Sequence, residues 1–349
     1  YTVNGYRESV TDHRGTTSYM YNELNRLTQV TNPDGTFISY TYDNVGNRLS
    51  VTTPSGTTTY TYDANNRLET VTSPDAGVTS YTYYPAGSRA SITYPNGSAT
   101  TYTYDSLNRL VHQETLRSDT SLISSYNYTI GPAGNRIQVT ENTGRVVDYI
   151  YDNGYRLMEE DITDLALGNQ TISYTYDDVG NRLSKTDPGG SIICTYDDND
   201  RLLTETGPTG SHTYTYDSNG NTTSAIDGTS TIYSYDSKNR LVSANSSSTT
   251  INYDYDADGI RVQSTVNGGI TKFLVDKEQQ YAQVLETRAA DDSLIASYIY
   301  GDDLISQKKD TQVCFYVYDG HGSTRHLLDQ RENITDTYVY DAFGVELNR

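Results

Sequence analysis

Three short stretches carry residue types that could do chemistry. Asp319, His321 and Ser323 are the residue types of a hydrolytic triad within five positions. A working triad needs side chains that converge from separate elements around a hydrogen-bonded base. These three lie in one glycine-rich turn, so an ordinary turn is the favoured interpretation. Residues 254–259 open like a calcium-binding loop, but Thr265 stands where such a loop needs a bidentate Glu, which again favours a turn.

The third stretch is the acidic run 197–200, which could attract a cation but is more simply a solvated turn. Cys194 and Cys314 stand far apart and follow no metal-ligand spacing, and the other four histidines are scattered. No phosphate-binding loop, metal cluster or nucleophile elbow occurs in the sequence. The sequence therefore predicts a protein that is not an enzyme, with no catalytic residue, no cofactor and no metal site.

The composition limits which partners the protein could bind and which architecture it could adopt. The formal net charge is −20, from 45 acidic and 25 basic residues, which argues against binding to nucleic acid or to an anionic membrane surface. No apolar stretch approaches the roughly 18 residues that a membrane span needs, so no membrane insertion is expected. Only 34% of the residues are hydrophobic, but 35 are tyrosines, whose large ring and polar tip suit a half-hydrated β surface.

A tyrosine motif recurs along the whole chain. Residues 40–49 read YTYDNVGNRL, and close copies occupy 60–68, 102–110, 174–183 and 233–241. Aligning the aspartate position gives 16 copies with a mean spacing of about 21 residues. Both tyrosines of a copy fall on one face of a strand and the intervening threonines on the other. The motif residues singled out as a structural repeat are Tyr40, Tyr42, Asp43, Gly46, Asn47, Arg48, Leu49, Tyr60, Tyr62, Asp63, Tyr102, Tyr104, Asp105, Tyr174, Tyr176, Asp177, Gly180, Tyr214, Tyr216, Asp217, Tyr233, Tyr235, Asp236, Tyr318, Asp319, Gly322, Tyr340, Asp341 and Gly344.

Two turn signals divide each copy. The first follows the tyrosine pair, where Asp accepts hydrogen bonds from the turn and Gly or Asn tolerates positive φ. The second lies half a copy later and is often Pro-x-Gly, as at 54–56 and 95–97. Each copy is therefore predicted to be strand, turn, strand, turn. A single copy buries too few rings to offset the entropy of ordering it, so we expect copies to stack with ring over ring.

An arginine follows the first turn in most copies. We interpret it as the partner of a motif aspartate in a neighbouring repeat, with the guanidinium also lying over a tyrosine ring. On the second strand, Leu68 and Val71 are three residues apart and cannot share a face of a regular strand, which predicts a bulge. The recurring arginines are Arg26, Arg48, Arg67, Arg89, Arg109, Arg136, Arg156, Arg182, Arg201, Arg240 and Arg261.

These features predict an all-β protein whose tandem repeats form one long antiparallel sheet. Two strands for each of the 16 copies, at about 4.8 Å each, span roughly 150 Å from edge to edge. Open sheets rarely exceed about ten strands without curling. A wall of that length makes about one turn around a cylinder some 50 Å across. We therefore expect a curved, hollow wall whose exposed first and last strands pair with adjacent repeats or a capping domain.

The tandem Tyr-x-Tyr-Asp-x-x-Gly-Asn-Arg-Leu units resemble YD repeats, also called RHS repeats. These occur in bacterial RHS and polymorphic toxins, in the B and C components of insecticidal toxin complexes, and in teneurins. The stretches 298–301, 316–325 and 338–344 resemble the entry to the RHS-associated core, which closes the array ahead of a variable toxin. The resemblance divides the chain into a repeat array, 1–271, and degenerate repeats that lead into the core, 272–349.

The resemblance implies a sheet that spirals into a shell-like wall and holds a C-terminal toxin inside. The expected function is a structural module that encapsulates and helps deliver a toxin or other cargo, in a bacterial protein that is secreted or at the cell surface. The family's self-cleavage segment and toxin have no counterpart in this sequence, so no catalytic residue is carried over. The alternative is an adhesion module that binds a glycan or a protein receptor through an outer face rich in tyrosine and threonine.

Overall fold

The computed structural model describes residues 1–348, and every regular element in that range is a β-strand. The prediction of an all-β protein is confirmed. Strands β1 to β32 form a single antiparallel sheet in which each strand pairs with the next one in the chain, while β33 and β34 form a separate hairpin. No helix in residues 1–348 is long and apolar enough to cross a membrane.

The first half of the sheet contains the most regular copies of the tyrosine motif. Alternating threonine and tyrosine, both strong β-formers, make the strand that precedes each motif aspartate. We call residues 9–176 the outer layer. Its strands are β1 (Ser9–Asp12), β2 (Gly15–Tyr21), β3 (Leu27–Thr31), β4 (Phe37–Tyr42), β5 (Arg48–Thr53), β6 (Gly56–Tyr62), β7 (Leu68–Ser73), β8 (Gly77–Tyr83), β9 (Arg89–Thr93), β10 (Ala99–Tyr104), β11 (Leu110–Leu116), β12 (Leu122–Ile130), β13 (Arg136–Glu141), β14 (Val146–Tyr151), β15 (Leu157–Thr163) and β16 (Gln170–Tyr176).

The middle of the sheet, residues 182–266, continues the same pattern, and we call it the arc. In the arc, which the structure describes throughout, only Cys194 and Ser224 are buried. Its tyrosines remain half exposed, and contacts with another layer are found at the two ends of the arc, at Lys185 and at Asp258. The strands of the arc are β17 (Arg182–Asp187), β18 (Gly190–Tyr196), β19 (Leu202–Gly207), β20 (Gly210–Tyr216), β21 (Thr222–Ile226), β22 (Ser230–Tyr235), β23 (Leu241–Asn245), β24 (Thr250–Tyr255) and β25 (Arg261–Val266).

The last part of the chain, residues 269–348, differs in composition and is the inner layer. Its strands carry apolar residues at positions that hold threonine elsewhere, as in Val313, Phe315 and Val317. The strands are β26 (Gly269–Asp276), β27 (Gln283–Ala289), β28 (Leu294–Tyr300), β29 (Leu304–Lys309), β30 (Gln312–Tyr318), β31 (Thr324–Leu328), β32 (Ile334–Thr337), β33 (Val339–Tyr340) and β34 (Glu346–Asn348). The start of this layer lies close to the division at 271 that the resemblance suggests, which itself stays a prediction.

A β-bulge follows the first turn of the repeat. Tyr62 pairs with Leu68 and Thr61 pairs with Thr70, so Glu69 is an extra residue on its strand. The bulge brings Leu68 and Val71 onto the same face, where Val71 is 1% exposed and Leu68 packs against the core. The predicted bulge is confirmed, and equivalent shifts recur along the sheet. Bulges increase the local twist, which helps the sheet to curl.

The sheet has two chemically different faces. On β6, Tyr60 is buried and Tyr62 half-buried on one face, which we call the Tyr face. Thr59 and Thr61 are exposed on the opposite side, the Thr face. Hydroxyls pair between neighbouring strands on the Thr face, as between Thr61 and Thr70 at 2.8 Å. The alternation predicted from the sequence is thus present, and it sorts rings to one side and hydroxyls to the other.

The ribbon rolls over itself, so the inner layer covers the Tyr face of the outer layer. The Tyr40 hydroxyl donates a 2.8 Å hydrogen bond to Asp276, and the Tyr94 ring lies 6.0 Å from that of Phe315. One hydrophobic cluster joins residues of both layers, including Val71 and Val317. The contacting face of the inner layer is its Thr face, which explains why apolar residues replace threonine there.

Path length shows which layer lies inside. Tyr40 contacts Asp276, and Tyr128 contacts Gly320. Between these two contacts the outer layer runs over 88 residues, whereas the C-terminal layer runs over only 44. A path that covers the same angle with half the residues lies on the smaller radius. The C-terminal layer is therefore inside, and the Tyr face is concave. The expectation that the outer face is rich in tyrosine is wrong, because the convex, exposed face carries threonine and serine.

The turn is tighter than the sequence estimate. Tyr40 lies on β4 and Asp276 at the end of β26, so one full turn takes about 22 strands, or roughly 105 Å of ribbon. This corresponds to a turn about 35 Å across rather than about 50 Å. The estimate assumed that no strand lies over another. Burial of Phe315 and Val317 between the layers is what makes the overlap favourable.

Candidate functional site

Successive repeats are joined by a hydroxyl from the second tyrosine of the motif. The Tyr62 hydroxyl donates to the backbone carbonyl of Arg48 at 3.0 Å, and Tyr83 does the same to Leu68 at 2.8 Å. The acceptor is the first residue of a strand in the preceding repeat, so each bond ties one copy to the copy before it. The same bond is made by Tyr21, Tyr42, Tyr151, Tyr176, Tyr196, Tyr216, Tyr235, Tyr255 and Tyr318.

The hydroxyls of Tyr42 and Tyr83 keep their protons over the whole physiological range. Burial raises the pKa of Tyr42 and of Tyr83 to about 12, with nearby carboxylates adding to the effect. A protonated phenol is the donor that the backbone carbonyl needs. The joint between repeats is therefore insensitive to pH below that value.

Replacing Tyr62 with Phe should lower the free energy of unfolding by about 1 kcal/mol, because the Arg48 carbonyl loses its donor while the ring is kept. The matched control is Tyr155→Phe, since Tyr155 is 64% exposed in a turn. Urea unfolding of the two variants checks the difference. Equal stability of both variants would contradict a role for the hydroxyl in joining repeats.

The motif aspartate closes its own turn. Asp63 accepts hydrogen bonds from the backbone N–H of Asn65 and of Arg67, at 2.8 and 3.0 Å. The Arg67 side chain also donates to it, and this bond is the main reason that the pKa of Asp63 lies below its usual value. At Asp236, hydrogen bonds from the backbone and side chain of Arg240 lower the pKa to about 2. Asp63 and Asp236 thus cap their turns as ionised groups.

Two kinds of first turn alternate without exception from residue 22 to residue 261. In one kind, the residue three after the motif position is Gly with positive φ, and we call it the glycine turn. In the non-glycine turn, another residue adopts that conformation. Glycine turns centre on Gly46, Gly87, Gly134, Gly180, Gly220 and Gly259, and non-glycine turns on Asn25, Asn66, Asn108, Tyr155, Asp200 and Asn239. Gly46 and Gly259 are 213 residues apart over five intervals, so the structural period is about 43 residues, twice the spacing of the motif.

The two kinds of turn give their arginines different partners. In the non-glycine turn, Arg67 follows Asp63 by four residues and donates back to it at 2.7 Å. In the glycine turn, Asn47 takes that place, with its amide 2.8 Å from Asp43. Arg48 comes one residue later, and a one-residue shift along a strand moves a side chain to the other face. Its guanidinium therefore lies on the Tyr face.

Arg48 lies between the rings of Tyr40 and Tyr60, 5.9 and 5.3 Å from their centroids. Rings of these successive copies are thus bridged by a cation rather than stacked directly on one another. The predicted contact between arginine and tyrosine rings is confirmed and recurs along the chain. The predicted side-chain pair with a motif aspartate of the neighbouring repeat is replaced by other pairs, since Arg67 pairs with Asp63 of its own turn and Arg48 pairs with Asp276 of the inner layer. Arginines of non-glycine turns do reach the neighbouring repeat, where they donate to a backbone carbonyl, as Arg156 does to Asp177 at 2.7 Å.

We call the line of contacts between the layers the seam. At the seam, Arg48 pairs with Asp276 at 2.6 Å and Arg89 pairs with Asp303 at 2.7 Å. Each glycine turn of the outer layer thus meets one turn of the inner layer, which gives the two-to-one ratio of path lengths. Further contacts of the seam join Arg7 to Asp258, Arg136 to the carbonyl of Gly320, and Lys185 to Asp341.

Two open grooves run along the seam. One encloses about 1200 Å³ and is lined by tyrosines of the first four repeats together with Arg26 and Arg67. The other encloses about 940 Å³ and lies where β12–β16 meet the inner turns at 319–323 and 341–344. Their walls are motif tyrosines and arginines that already bind within the protein.

The residues considered for chemistry serve structural roles. Asp319 accepts hydrogen bonds from the backbone of His321 and Ser323 at 2.9 and 3.1 Å, and it pairs with Arg325 at 3.3 Å. The geometry is that of a capped turn, not of a triad. In the stretch that resembles a calcium loop, Asp258 pairs with basic side chains from both layers. Within residues 1–348, no group of three or more His, Cys, Asp or Glu side chains could hold a metal ion.

The alternation of turns is the feature that the sequence analysis missed, although the sequence carries it. Arginine follows the motif position by four residues in one copy and by five in the next, as in Asp63 to Arg67 and Asp43 to Arg48. The glycine that precedes Asn47 marks the longer spacing. An alignment on the aspartate position alone does not show this difference in the spacing of arginine.

Comparison with known proteins gives two family matches. The Teneurin YD-shell family profile matches residues 116–348, which is more than half of the chain. The RHS repeat profile matches four overlapping stretches, residues 7–36, 21–58, 42–78 and 83–120. The two profiles together extend over nearly the whole sheet.

Solved structures of low sequence identity share the fold. A chain in the crystal structure of TcdB2-TccC3-TEV aligns with a TM-score of 0.76 and 16% identity, over 97% of this chain and 20% of that chain. A chain in the Photorhabdus luminescens Tc holotoxin pore aligns with a TM-score of 0.72 and 18% identity, over 95% of this chain and 19% of that one. The predicted spiral sheet is confirmed at the level of the fold.

Two curated relatives match over a shorter stretch. The tRNA3(Ser)-specific nuclease WapA of Bacillus spizizenii is 35% identical over 88 residues, and the tRNA nuclease WapA of Bacillus subtilis is 33% identical over 88 residues. Each match covers 25% of this chain and 4% of the relative. The chain therefore spans a small part of the proteins it resembles, in sequence and in structure.

Proposed function

This chain belongs to the YD-shell family of RHS-repeat proteins, and on that premise we propose that it is a non-enzymatic wall segment of a hollow β-shell. The shell encloses a C-terminal toxin or other polypeptide cargo and helps to deliver it. The parent protein is bacterial and is secreted or exposed at the cell surface. The match to tRNA nucleases covers too little of either chain to bring a nuclease activity to this segment.

The observation that carries the proposal is the concave, rolled sheet. A single ribbon of 32 strands curls with its ring-bearing face inward and covers part of that face with its own C-terminal strands. Such a wall separates an inside from an outside without a filled barrel core. The last described strand, β34, belongs to the inner layer, so polypeptide that follows it would start on the concave side.

The proposal also fits the chemistry of the two faces. The convex face carries exposed threonine hydroxyls that pair with one another, as between Thr195 and Thr204 at 2.7 Å, and this keeps the outside polar. The concave face of the arc leaves half-exposed tyrosines such as Tyr214 and Tyr233. Tyrosine offers both ring and hydroxyl contacts, which suits an unfolded cargo of mixed composition.

Protease protection of an attached cargo tests the proposal. An unstructured polypeptide fused after residue 349 should be degraded several-fold more slowly than the same polypeptide fused before Tyr1, which is 84% exposed. The two fusions have equal composition, so the comparison isolates the side of the wall on which the cargo starts. Equal degradation rates of the two fusions would count against enclosure.

A further inference from the structure

The C-terminal hairpin, residues 338–348, docks on the outer layer through a pair of buried carboxylates. Glu160 lies on β15 and is 1% exposed, and Asp341 precedes the turn of the hairpin and is 5% exposed. The turn of the hairpin lies over β15 and β16, since the backbone N–H of Ala342 donates to Glu160 and the Phe343 ring packs against that of Tyr174. The strands of this hairpin pair only with each other, and Tyr338 at its start is bonded to Arg325 of β31. Beyond Tyr338, contacts that involve side chains hold the hairpin on the outer layer.

Asp341 has a full set of partners for its charge. It accepts hydrogen bonds from the backbone of Phe343 and Val345, both at 2.9 Å, and forms a 2.7 Å ion pair with Lys185. A buried carboxylate that is paired and hydrogen-bonded remains ionised at low cost.

Glu160 has only neutral partners. The Tyr174 hydroxyl donates to one of its oxygens at 2.6 Å, and the backbone N–H of Ala342 donates to the other at 3.1 Å. Arg145, immediately before β14, faces the site but is held by Glu141 and Asp164, at 3.2 and 3.4 Å. The ionised form of Glu160 is therefore a buried charge beside a second negative charge, without a cation of its own.

The remaining groups at the site do not supply that cation. The Arg182 guanidinium lies over the Phe343 ring, 5.3 Å from its centroid, and Phe343 packs edge-on against Tyr174 at 4.9 Å. The Tyr149 hydroxyl stays protonated, since burial raises its pKa far above neutral.

We propose that Glu160 makes the C-terminal hairpin a proton-dependent latch, docked firmly when this carboxyl is protonated and released progressively when it ionises. Burial, and secondly the charge of Asp341, raises the pKa of Glu160 above its usual value. The docked hairpin thus binds the proton more tightly than the undocked hairpin does. Docking is strongest below the raised pKa and is lost as the pH rises through it.

Two histidines of the inner layer respond with the opposite sign. Burial lowers the pKa of His321, and it lowers that of His326 to about 4. Their neutral forms are favoured in the folded state, so acid weakens packing around β31. A measurement confined to the hairpin separates the two effects.

Hydrogen exchange of the full chain, corrected for the intrinsic dependence on pH, tests the latch. Amides in 338–348 should become about tenfold more protected between about pH 8 and about pH 5, relative to amides of β6 and β7. Glu160→Gln keeps the side-chain shape without the charge and should give high protection at both values. Glu159→Gln makes the same change one residue away, on the other side of β15, and should keep the slope of the unmodified chain.

Two results would overturn the latch. One is equal protection of the hairpin in the unmodified chain at both pH values. The other is a Glu160→Gln variant that retains the original slope. The first comparison needs no variant, so it decides the question even if the substitution impairs folding.

Discussion

Deleting residues 63–83 is expected to separate the inner layer from the outer layer on one side of the deletion point. The larger deletion of residues 63–104 is expected to leave the two layers in contact. Both deletions join Tyr62 to the motif position of a later copy, so both keep the order of strands and turns. They differ in that the first removes one copy of the motif and the second removes two. The larger loss is predicted to be the better tolerated.

The reason is the alternation of glycine and non-glycine turns. Removing one copy makes Arg48 and Arg89 neighbours in successive repeats, while their partners Asp276 and Asp303 remain set for every second repeat. The arginines of the glycine turns then no longer recur at every second repeat across the deletion point. They can therefore meet their partners in the inner layer on one side of that point but not on the other. Removing two copies also removes Arg89, but it leaves Arg48 followed by a non-glycine turn and then Arg136, so Arg136 takes the place of Arg89 opposite Asp303 and the phase is kept.

Proteolysis and hydrogen exchange of β26–β31 report whether the inner layer stays docked. We expect exchange in these strands to approach that of exposed amides in the shorter deletion and to stay near the original in the longer one. Repeat proteins usually tolerate loss of whole repeats, which makes the contrast informative. Similar protection in both variants would show that the seam does not depend on the alternation.

Arg48→Ala should cost about 3–5 kcal/mol of unfolding free energy, since it leaves the carboxylate of Asp276 buried without its cation. The Asp276 side chain is fully buried and that of Arg48 is 14% exposed. The Tyr40 hydroxyl and the backbone N–H of Glu278 would remain as neutral donors, but two neutral hydrogen bonds compensate a buried charge poorly.

Arg67→Ala is the matched control, with an expected cost below about 1 kcal/mol. Arg67 also lies over a ring, 4.5 Å from the centroid of Tyr83, and also pairs with an aspartate. Its pair is more exposed and lies within a single turn, so its loss leaves no buried charge. Denaturant unfolding of both variants gives the comparison, and equal costs would refute the distinction between seam and turn arginines.

The local features of the fold could be predicted because they repeat. Each copy shows the same alternation of threonine and tyrosine, and the spacing of Leu68 and Val71 was enough to predict the bulge at Glu69. The turn role of Asp63 follows from its position after the tyrosine pair. In each case, the physical cause lies within about 20 residues, where a periodic pattern is readable.

The overlap of the layers could not be predicted, because its contacts join residues that share no pattern. Tyr40 and Asp276 are 236 residues apart, and nothing in either copy marks the other as its partner. One clue was available, since Val313, Phe315 and Val317 stand where other copies have threonine. Apolar residues on that face indicate that something covers it, although the sequence does not say what.

The direction of the tyrosine bond has a consequence for how the chain is made. Each second tyrosine reaches back 13 to 19 residues, to a carbonyl that has already left the ribosome. Each new copy can therefore form this hydrogen bond as soon as it emerges. The sheet can then assemble from its N-terminal end during translation. Contacts between the layers span 156 to 251 residues and must wait until the last quarter of the chain has been synthesised. Strand pairing can thus proceed during translation, whereas the inner layer packs on the outer layer only at the end. This late packing is the slow step of folding.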